Sequence, residues 1–179
     1  MVVNVQLQKP ESGFEQHLRP GLCIGVCARI TDAPAGNYGP NMDWWWEPYY
    51  TVDGEKAPVP GAFNDDGTVY QLRDRTSTKF GKGKTPDKTA KARVRVEALL
   101  KREIDDDEPL EGILDQCLRK PVLLFLALSE SGYLNVELVK PYKAGTQVPM
   151  PPPAAVVEED LPFDDGSSVA VADDEAPPF

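Results

Sequence analysis

The acidic, proline-rich composition of the C-terminal residues restricts the part of the chain that can form a folded core. Residues 144–179 contain eight Asp or Glu residues and no Lys or Arg, and proline is frequent among them. Sequence of this kind buries too little apolar surface to offset the entropy lost on ordering it. We therefore predict one folded domain over residues 1–143, followed by a disordered acidic, proline-rich tail over residues 144–179.

The charge of the chain is divided between this acidic tail and a basic middle segment. The formal net charge is -10 at pH 7, which alone disfavours a nucleic-acid partner because phosphate binding needs basic surface. Residues 1–143, however, carry a net charge of only -2. Residues 69–104 contain eleven Lys or Arg against four Asp or Glu, a net +7. The middle segment can therefore bind a polyanion, and the tail can compete with that polyanion for it.

The cysteine and histidine content argues against a metal site. Cys23, Cys27 and Cys117 are odd in number, and His17 is the one histidine of the sequence. We expect three reduced, buried thiols, with no metal and no cofactor. Because neither a signal peptide nor a long apolar run is evident, we expect a cytoplasmic protein that does not contact a membrane.

The N-terminal half contains segments with the alternation of β-strands. Residues 21–30 predict a first strand and residues 68–75 a second, while residues 34–60 predict a long loop or an irregular pair of strands. Residues 92–98 alternate strictly between apolar and other side chains. That pattern predicts a third strand with Arg93 and Arg95 on an exposed basic face.

A helix and a hairpin are predicted next. Apolar residues over 109–119 recur at helical spacing, and the preceding run 105–108 is acidic, as expected near the positive end of a helix. Residues 122–128 and 133–139 then predict two strands joined by a turn. This order predicts a mainly β protein, a five-stranded oligonucleotide-binding (OB) type barrel with one helix between strands three and four. A mixed α+β sandwich is the alternative.

Residues 107–141 resemble a bacteriophage family of OB-fold, single-stranded-DNA-binding-like proteins. The resemblance lies in Lys120-Pro121 ahead of an apolar strand, the Gly132-Tyr133 turn and the Asn135-Val136 strand. It implies a non-enzymatic protein that coats and protects single-stranded DNA during phage replication or recombination. Such a protein would work in the host cytoplasm, and homo-oligomers are compatible with the resemblance.

The end of the chain resembles the acidic tip of bacterial and phage single-stranded DNA-binding proteins. In those proteins, acidic residues and proline precede a terminal phenylalanine that replication or recombination proteins capture. Residues 158–165 repeat this pattern internally. The resemblance implies a partner-binding tip made of Asp173, Asp174, Glu175, Pro177, Pro178 and Phe179.

Binding of single strands without sequence preference needs cations for the phosphates and aromatic faces for the bases. Large aromatic residues also commonly belong to the core, and basic residues commonly form a merely solvated face, so these alternatives remain for each position. The candidate nucleic-acid-binding residues are Trp44, Trp45, Trp46, Tyr49, Tyr50, Tyr70, Arg73, Arg75, Lys79, Phe80, Lys82, Lys84, Lys88, Lys91, Arg93 and Arg95.

Two enzymatic interpretations are less well supported. Residues 81–85 end in Gly-Lys-Thr like a phosphate-binding P-loop, but Thr78 stands where the first glycine belongs and Pro86 opposes the helix that must follow. Residues 105–108 could ligate magnesium in a nuclease, but consecutive carboxylates point in different directions and more plausibly cap the next helix. An acidic protein-interaction module or DNA mimic remains the alternative function.

Overall fold

Residues 17–153 fold into a six-stranded antiparallel β-sheet with two α-helices. A computed structural model describes residues 17–153. The mainly β class is confirmed, whereas the predicted disorder of residues 154–179 lies outside the described residues. The elements are β1 (Gly21–Gly36), β2 (Gly39–Tyr50), β3 (Val59–Pro60), β4 (Leu72–Ser77), α1 (Lys91–Leu100), α2 (Leu110–Cys117), β5 (Pro121–Leu128) and β6 (Leu134–Pro141).

β1 and β2 form a long hairpin that supplies much of the core. β1 confirms the strand predicted at residues 21–30 but continues to Gly36, and β2 and β3 occupy much of the segment predicted as loop or irregular strands. In β2, Trp44, Trp46 and Tyr50 are fully buried, while Trp45 between them is only partly buried. The period of two places Trp45 on the opposite face of the sheet from the core.

The strands do not close into a barrel. Their order is β3-β2-β1-β5-β6, and β4 pairs with β2. β4 and β6 approach each other, but within residues 17–153 no ladder joins them. The prediction of a five-stranded OB-type barrel with one helix is therefore confirmed only in its mainly β class. Within residues 17–153 the sheet has six strands, an open seam remains between β4 and β6, and two helices connect β4 to β5.

The strand predicted at residues 92–98 is wrong, because this segment forms helix α1. Eight of its ten residues are Ala, Leu, Arg, Lys or Glu, and these residues favour a helix. Arg93 and Arg95 are each only 3% exposed. Arg95 pairs with Asp74 on β4 at 2.7 Å, and Arg93 pairs with Glu97 at 2.8 Å. The alternation was misleading because these arginines are neutralised inside the protein instead of facing water.

The helix predicted at residues 109–119 is confirmed as α2, and the hairpin that follows is confirmed as β5 and β6. The acidic run does not cap α2 by side-chain hydrogen bonds, since the N-cap residue is Pro109. Glu108 instead forms a two-pronged ion pair with Arg102, at 2.7 and 2.9 Å. Asp106 pairs with Arg93. These carboxylates hold arginines in place, so the predicted capping role is wrong.

The packed chain continues beyond residue 143. Val148 is 2% exposed and belongs to the core. Its backbone carbonyl accepts a hydrogen bond from the Thr51 amide, and its own amide donates to Thr51 Oγ1, both at 2.8 Å. His17 Nδ1 donates to the carbonyl of Pro151 at 2.7 Å. Residues 144–151 thus contact the folded domain, although the predicted boundary at residue 143 assigns them to the tail.

The three cysteines are free and buried, as predicted. Burial raises the pKa of Cys23 and Cys27 to about 12 and that of Cys117 to about 11. A thiol with such a pKa stays protonated at neutral pH and is a poor nucleophile. These cysteines therefore act as small apolar core residues.

Candidate nucleic-acid interface

The face of the sheet opposite the core carries a row of three side chains across β1, β2 and β4. Arg29, Trp45 and Arg73 are direct neighbours, because Arg29 pairs with Trp45 and Trp45 pairs with Arg73 in the strand registers. The Arg29 guanidinium lies 4.1 Å from the centroid of the Trp45 ring. Cross-strand neighbours on one face have side chains in mutual reach. The row thus places one cation, Arg29, over one face of the indole and a second cation, Arg73, beside the indole on β4.

Hydrogen bonds fix the orientation of this row. Trp45 Nε1 donates to Thr31 Oγ1 at 3.0 Å, and Arg29 Nε donates to Gln71 Oε1 at 3.1 Å. Within residues 17–153, neither Arg29 nor Arg73 forms an ion pair with a carboxylate. No carboxylate therefore compensates the positive charge of either guanidinium group, and an anionic ligand can do so.

A second row, Thr31, Asp43 and Arg75, lies beside the first in the same registers. Arg75 binds Asp43 with both prongs, Nε to Oδ1 at 2.8 Å and Nη2 to Oδ2 at 2.9 Å. The hydrogen bonds from Arg75 hold the pKa of Asp43 below its usual value. Asp43 is only 5% exposed, and Arg75 compensates its charge. Asp43 therefore repels an incoming phosphate only weakly.

The rows open into a groove at the seam between β4 and β6. A cleft of about 430 Å³ is lined by Trp45, Tyr70 and Gln71 together with β6 residues 134–136. An adjoining depression of about 490 Å³ shares those three residues. We call this surface the Trp45 groove, and define it by Arg29, Trp45, Tyr70, Gln71, Arg73, Arg75 and Lys91.

Only part of the predicted aromatic set is available to a ligand. Trp44, Trp46 and Tyr50 are 0% exposed, and the rings of Trp44 and Trp46 stack on each other with centroids 5.9 Å apart. These three residues are core, and their prediction as base-stacking residues is wrong in this structure. Trp45 and Tyr70 line the groove. Successive residues of β2 point alternately toward the core and away from it, so one tryptophan of the three faces away from the core.

Two other predicted aromatic residues lie outside the groove lining. Tyr49 is half-buried, and its hydroxyl donates to Glu47 Oε2 at 3.0 Å. Phe80 packs against the core, and its carbonyl accepts a hydrogen bond from Arg93. Neither ring joins Trp45 in the row.

The predicted basic track is divided by the fold into separate groups. Arg73, Arg75 and Lys91 line the Trp45 groove, whereas Arg93 and Arg95 are buried in ion pairs and cannot contact phosphate in this structure. Lys82 and Lys84 line a different groove, described below. Lys79 and Lys88 are exposed and belong to neither lining.

The second groove lies between α1, the loop 82–89 and the end of β6. Its volume is about 670 Å³, and its floor includes Val94, Ala98 and Val139. Lys101 Nζ lies 6.0 Å from the centroid of the Tyr142 ring. We call it the Tyr142 groove, and its basic and aromatic lining residues are Lys82, Lys84, Lys101, Arg102, Tyr142 and Lys143.

Sequence reasoning missed several residues of both grooves. Arg29 lies in the segment correctly predicted as the first strand, but a regular strand would place it on the same side as buried Cys27, two residues before it. A β-bulge between Cys27 and Arg29 turns Arg29 to the outer face, and the sequence carried no signal for that bulge. Gln71 and Tyr142 carried no signal either, because neither residue type indicates whether its side chain is exposed or which residue it contacts. Lys101 and Lys143 reach the same groove only because α1 packs beside β6.

Other site types find little support in the described part of the chain. Among residues 17–153, no group of three His, Cys, Asp or Glu side chains is placed to hold a metal ion. None of the helices there is both long and apolar enough to cross a membrane. The predicted partner-binding residues 173–179 lie outside the described residues.

Comparison with models of known protein families gives no match, and comparison with curated proteins gives no significant match. The function must therefore be inferred from the residues and the geometry of this chain.

Proposed function

We propose that this chain is a non-enzymatic single-stranded-DNA-binding protein that uses the Trp45 groove. The observation that carries the proposal is the row Arg29–Trp45–Arg73, in which two cations have no carboxylate partner in residues 17–153 and accompany a partly exposed indole, Arg29 over one of its faces and Arg73 beside it on β4. The face that Arg29 does not cover is the one on which a base would stack. Bases that stack on aromatic side chains contribute about 1–3 kcal/mol each, and every base offers a suitable face. Arginines next to the ring supply the phosphate contacts.

The strand order supports an OB-type arrangement for this domain. A three-strand meander of β1, β2 and β4, two helices, and a β5–β6 hairpin that returns to β1 give the strand neighbours of an OB fold whose last seam is open. OB folds bind oligonucleotides on the face of their second and third strands. Here those strands are β2 and β4, which carry Trp45 and Arg73. The groove is thus in the position that such a domain would use.

The biological role that fits is coating and protection of single-stranded DNA during phage replication or recombination. The tip, residues 173–179, would then recruit partner proteins to the coated strand. The charge separation fits this role, because the acids of residues 144–179 are separated in sequence from the groove cations. A chain truncated after Pro153, and not after residue 143, is suited to testing the tail, because Val148 is part of the core.

A salt-titrated binding measurement with matched variants tests the proposal. Fluorescence anisotropy of a labelled oligo(dT) should give a slope of log affinity against log salt of about -0.7 for each phosphate neutralised. The double variant Arg29→Ala/Arg73→Ala should weaken binding at low salt at least tenfold and reduce that slope. The control Lys56→Ala/Lys120→Ala removes the same charge from exposed positions outside the groove.

Equal loss of affinity in both double variants would show that net charge and not the groove determines binding. No binding to single strands, duplex or RNA at low salt would refute nucleic-acid binding altogether. Binding to a basic protein in place of any oligonucleotide would favour the DNA-mimic alternative.

A further inference from the structure

The Tyr142 groove combines an apolar floor with a basic rim. Val94, Ala98 and Val139 line the floor beside the Tyr142 ring. Two carboxylates also line the groove: Glu103 pairs with Lys82 at 2.9 Å, and Glu97 pairs with Arg93 at 2.8 Å. Lys84, Lys101 and Lys143, in contrast, form no ion pair with a carboxylate of residues 17–153. A ligand for this groove needs an apolar part for the floor and negative charges for the three lysines.

One segment of the chain itself has that composition. Residues 158–165 read Glu-Glu-Asp-Leu-Pro-Phe-Asp-Asp, so Leu161, Pro162 and Phe163 form an apolar triplet with acids on both sides. The C-terminal residues 173–179 differ, because all their acids precede the apolar end. An apolar centre with charges on both flanks matches a floor with lysines around its rim.

The chain length allows this segment to reach the groove. Ten residues lead from Pro153 to Phe163, and an extended chain covers at most about 3.3–3.6 Å per residue, or roughly 35 Å. Lys143 lines the groove, and Pro153 follows Lys143 by ten residues, so Pro153 lies no farther from this edge of the groove than that same distance.

We propose that residues 158–165 dock in the Tyr142 groove of the same chain, with Phe163 on the apolar floor and the flanking acids on Lys84, Lys101 and Lys143. The docked segment covers the Tyr142 groove, the larger of the two grooves, and shields its apolar floor from other ligands. It also leaves residues 173–179 free for a partner and the Trp45 groove free for DNA. This docking is independent of nucleic-acid binding and can be tested without any oligonucleotide.

Photocrosslinking in the full-length protein tests the proposal. Phe163 is replaced by p-benzoylphenylalanine, and crosslinked peptides are mapped by mass spectrometry after irradiation at low protein concentration. Crosslinks within one chain to residues 82–86, 98–102 or 139–143 are expected. Their yield should fall several-fold when salt is raised from about 50 mM to about 500 mM, because screening weakens the ion pairs.

Charge reversal gives the matched comparison. Lys84→Glu/Lys143→Glu should reduce the yield of groove crosslinks at least fivefold, whereas Lys56→Glu/Lys120→Glu, with the same change of net charge, should leave it within twofold. In a second control, p-benzoylphenylalanine replaces Phe179 in place of Phe163, and this variant should not label the groove.

Three results would overturn the docking. Phe163-derived crosslinks could map elsewhere on the domain or only between two chains. They could persist at full yield in Lys84→Glu/Lys143→Glu. The residue at position 179 could label the groove as strongly as that at position 163, which would assign the groove to the tip.

Discussion

The Arg95–Asp74 ion pair provides the sharpest test of the fold, because the strand and helix interpretations of residues 92–98 predict opposite results. In the structure, both side chains are buried, with exposed fractions of 4% and 8%, and Arg95 Nε lies 2.7 Å from Asp74 Oδ2. Arg95→Ala would leave the Asp74 carboxylate buried without its partner. On an exposed strand face, the same substitution would change stability little and DNA binding substantially.

The expected loss of stability is large. Removing one partner of a buried ion pair costs about 3–5 kcal/mol. With an unfolding entropy of about 2.1 cal/mol/K per residue over roughly 140 residues, that loss lowers Tm by about 10–17 °C. Urea unfolding followed by the emission of buried Trp44 and Trp46 measures the free energy directly, since a shift in midpoint at constant slope reports stability alone.

Arg73→Ala is the matched control. Arg73 lies on the opposite face of the sheet, in the Trp45 groove, and has no carboxylate partner within residues 17–153. Its loss should weaken oligonucleotide binding while the unfolding free energy changes by less than about 0.5 kcal/mol. The double variant Asp74→Leu/Arg95→Met should recover most of the stability lost in Arg95→Ala. A loss below about 1 kcal/mol in Arg95→Ala would contradict the buried pair.

Two further predictions follow from ionisable groups. Hydrogen bonds from Arg102 and from the Asp105 amide hold the pKa of Glu108 at about 2, so a carboxylate NMR titration should find a value near 2 that rises in Arg102→Ala but stays below the free value of about 4.3, because the Asp105 amide still donates; the stabilisation from these contacts is complete above the unfolded pKa and is lost as the pH falls through about 2. Cys23, Cys27 and Cys117 should not react with a thiol reagent at pH 8 until the protein unfolds, because burial keeps them protonated; fast labelling of the native protein would show that the thiols are accessible.

The sequence was sufficient where a single pattern determined the local structure. The apolar stripe around Ile113 and Cys117 predicted α2. The apolar run 122–128, followed by the alternation over residues 134–138, predicted the β5–β6 hairpin. Both signals are strong because the residues concerned are apolar and need burial regardless of what surrounds them.

The sequence was misleading where burial depended on distant partners. Arg93 and Arg95 have the pattern of solvent-facing residues. The fold brings Asp106 to Arg93 and Asp74 to Arg95, and helix formation adds Glu97 as a second partner of Arg93, so both arginines can be buried. The same applies to Trp45, since three consecutive tryptophans predict that one faces outward but not that Arg29 lies over its ring. Barrel closure also depends on pairing between β4 and β6, which are far apart in sequence, and no local pattern reports it.

Tryptophan emission tests the central claim, that single-stranded DNA binds in the Trp45 groove, most directly. Trp44 and Trp46 are fully buried, so Trp45 is the one tryptophan of the three on which an added base can stack. Saturating oligo(dT) at low salt should quench part of the emission of the wild-type protein. In Trp45→Phe, which keeps an aromatic face for stacking, DNA should still bind by anisotropy while the quenching disappears. Undiminished quenching in Trp45→Phe, or no quenching in the wild type although DNA is bound, would contradict the assignment of the groove.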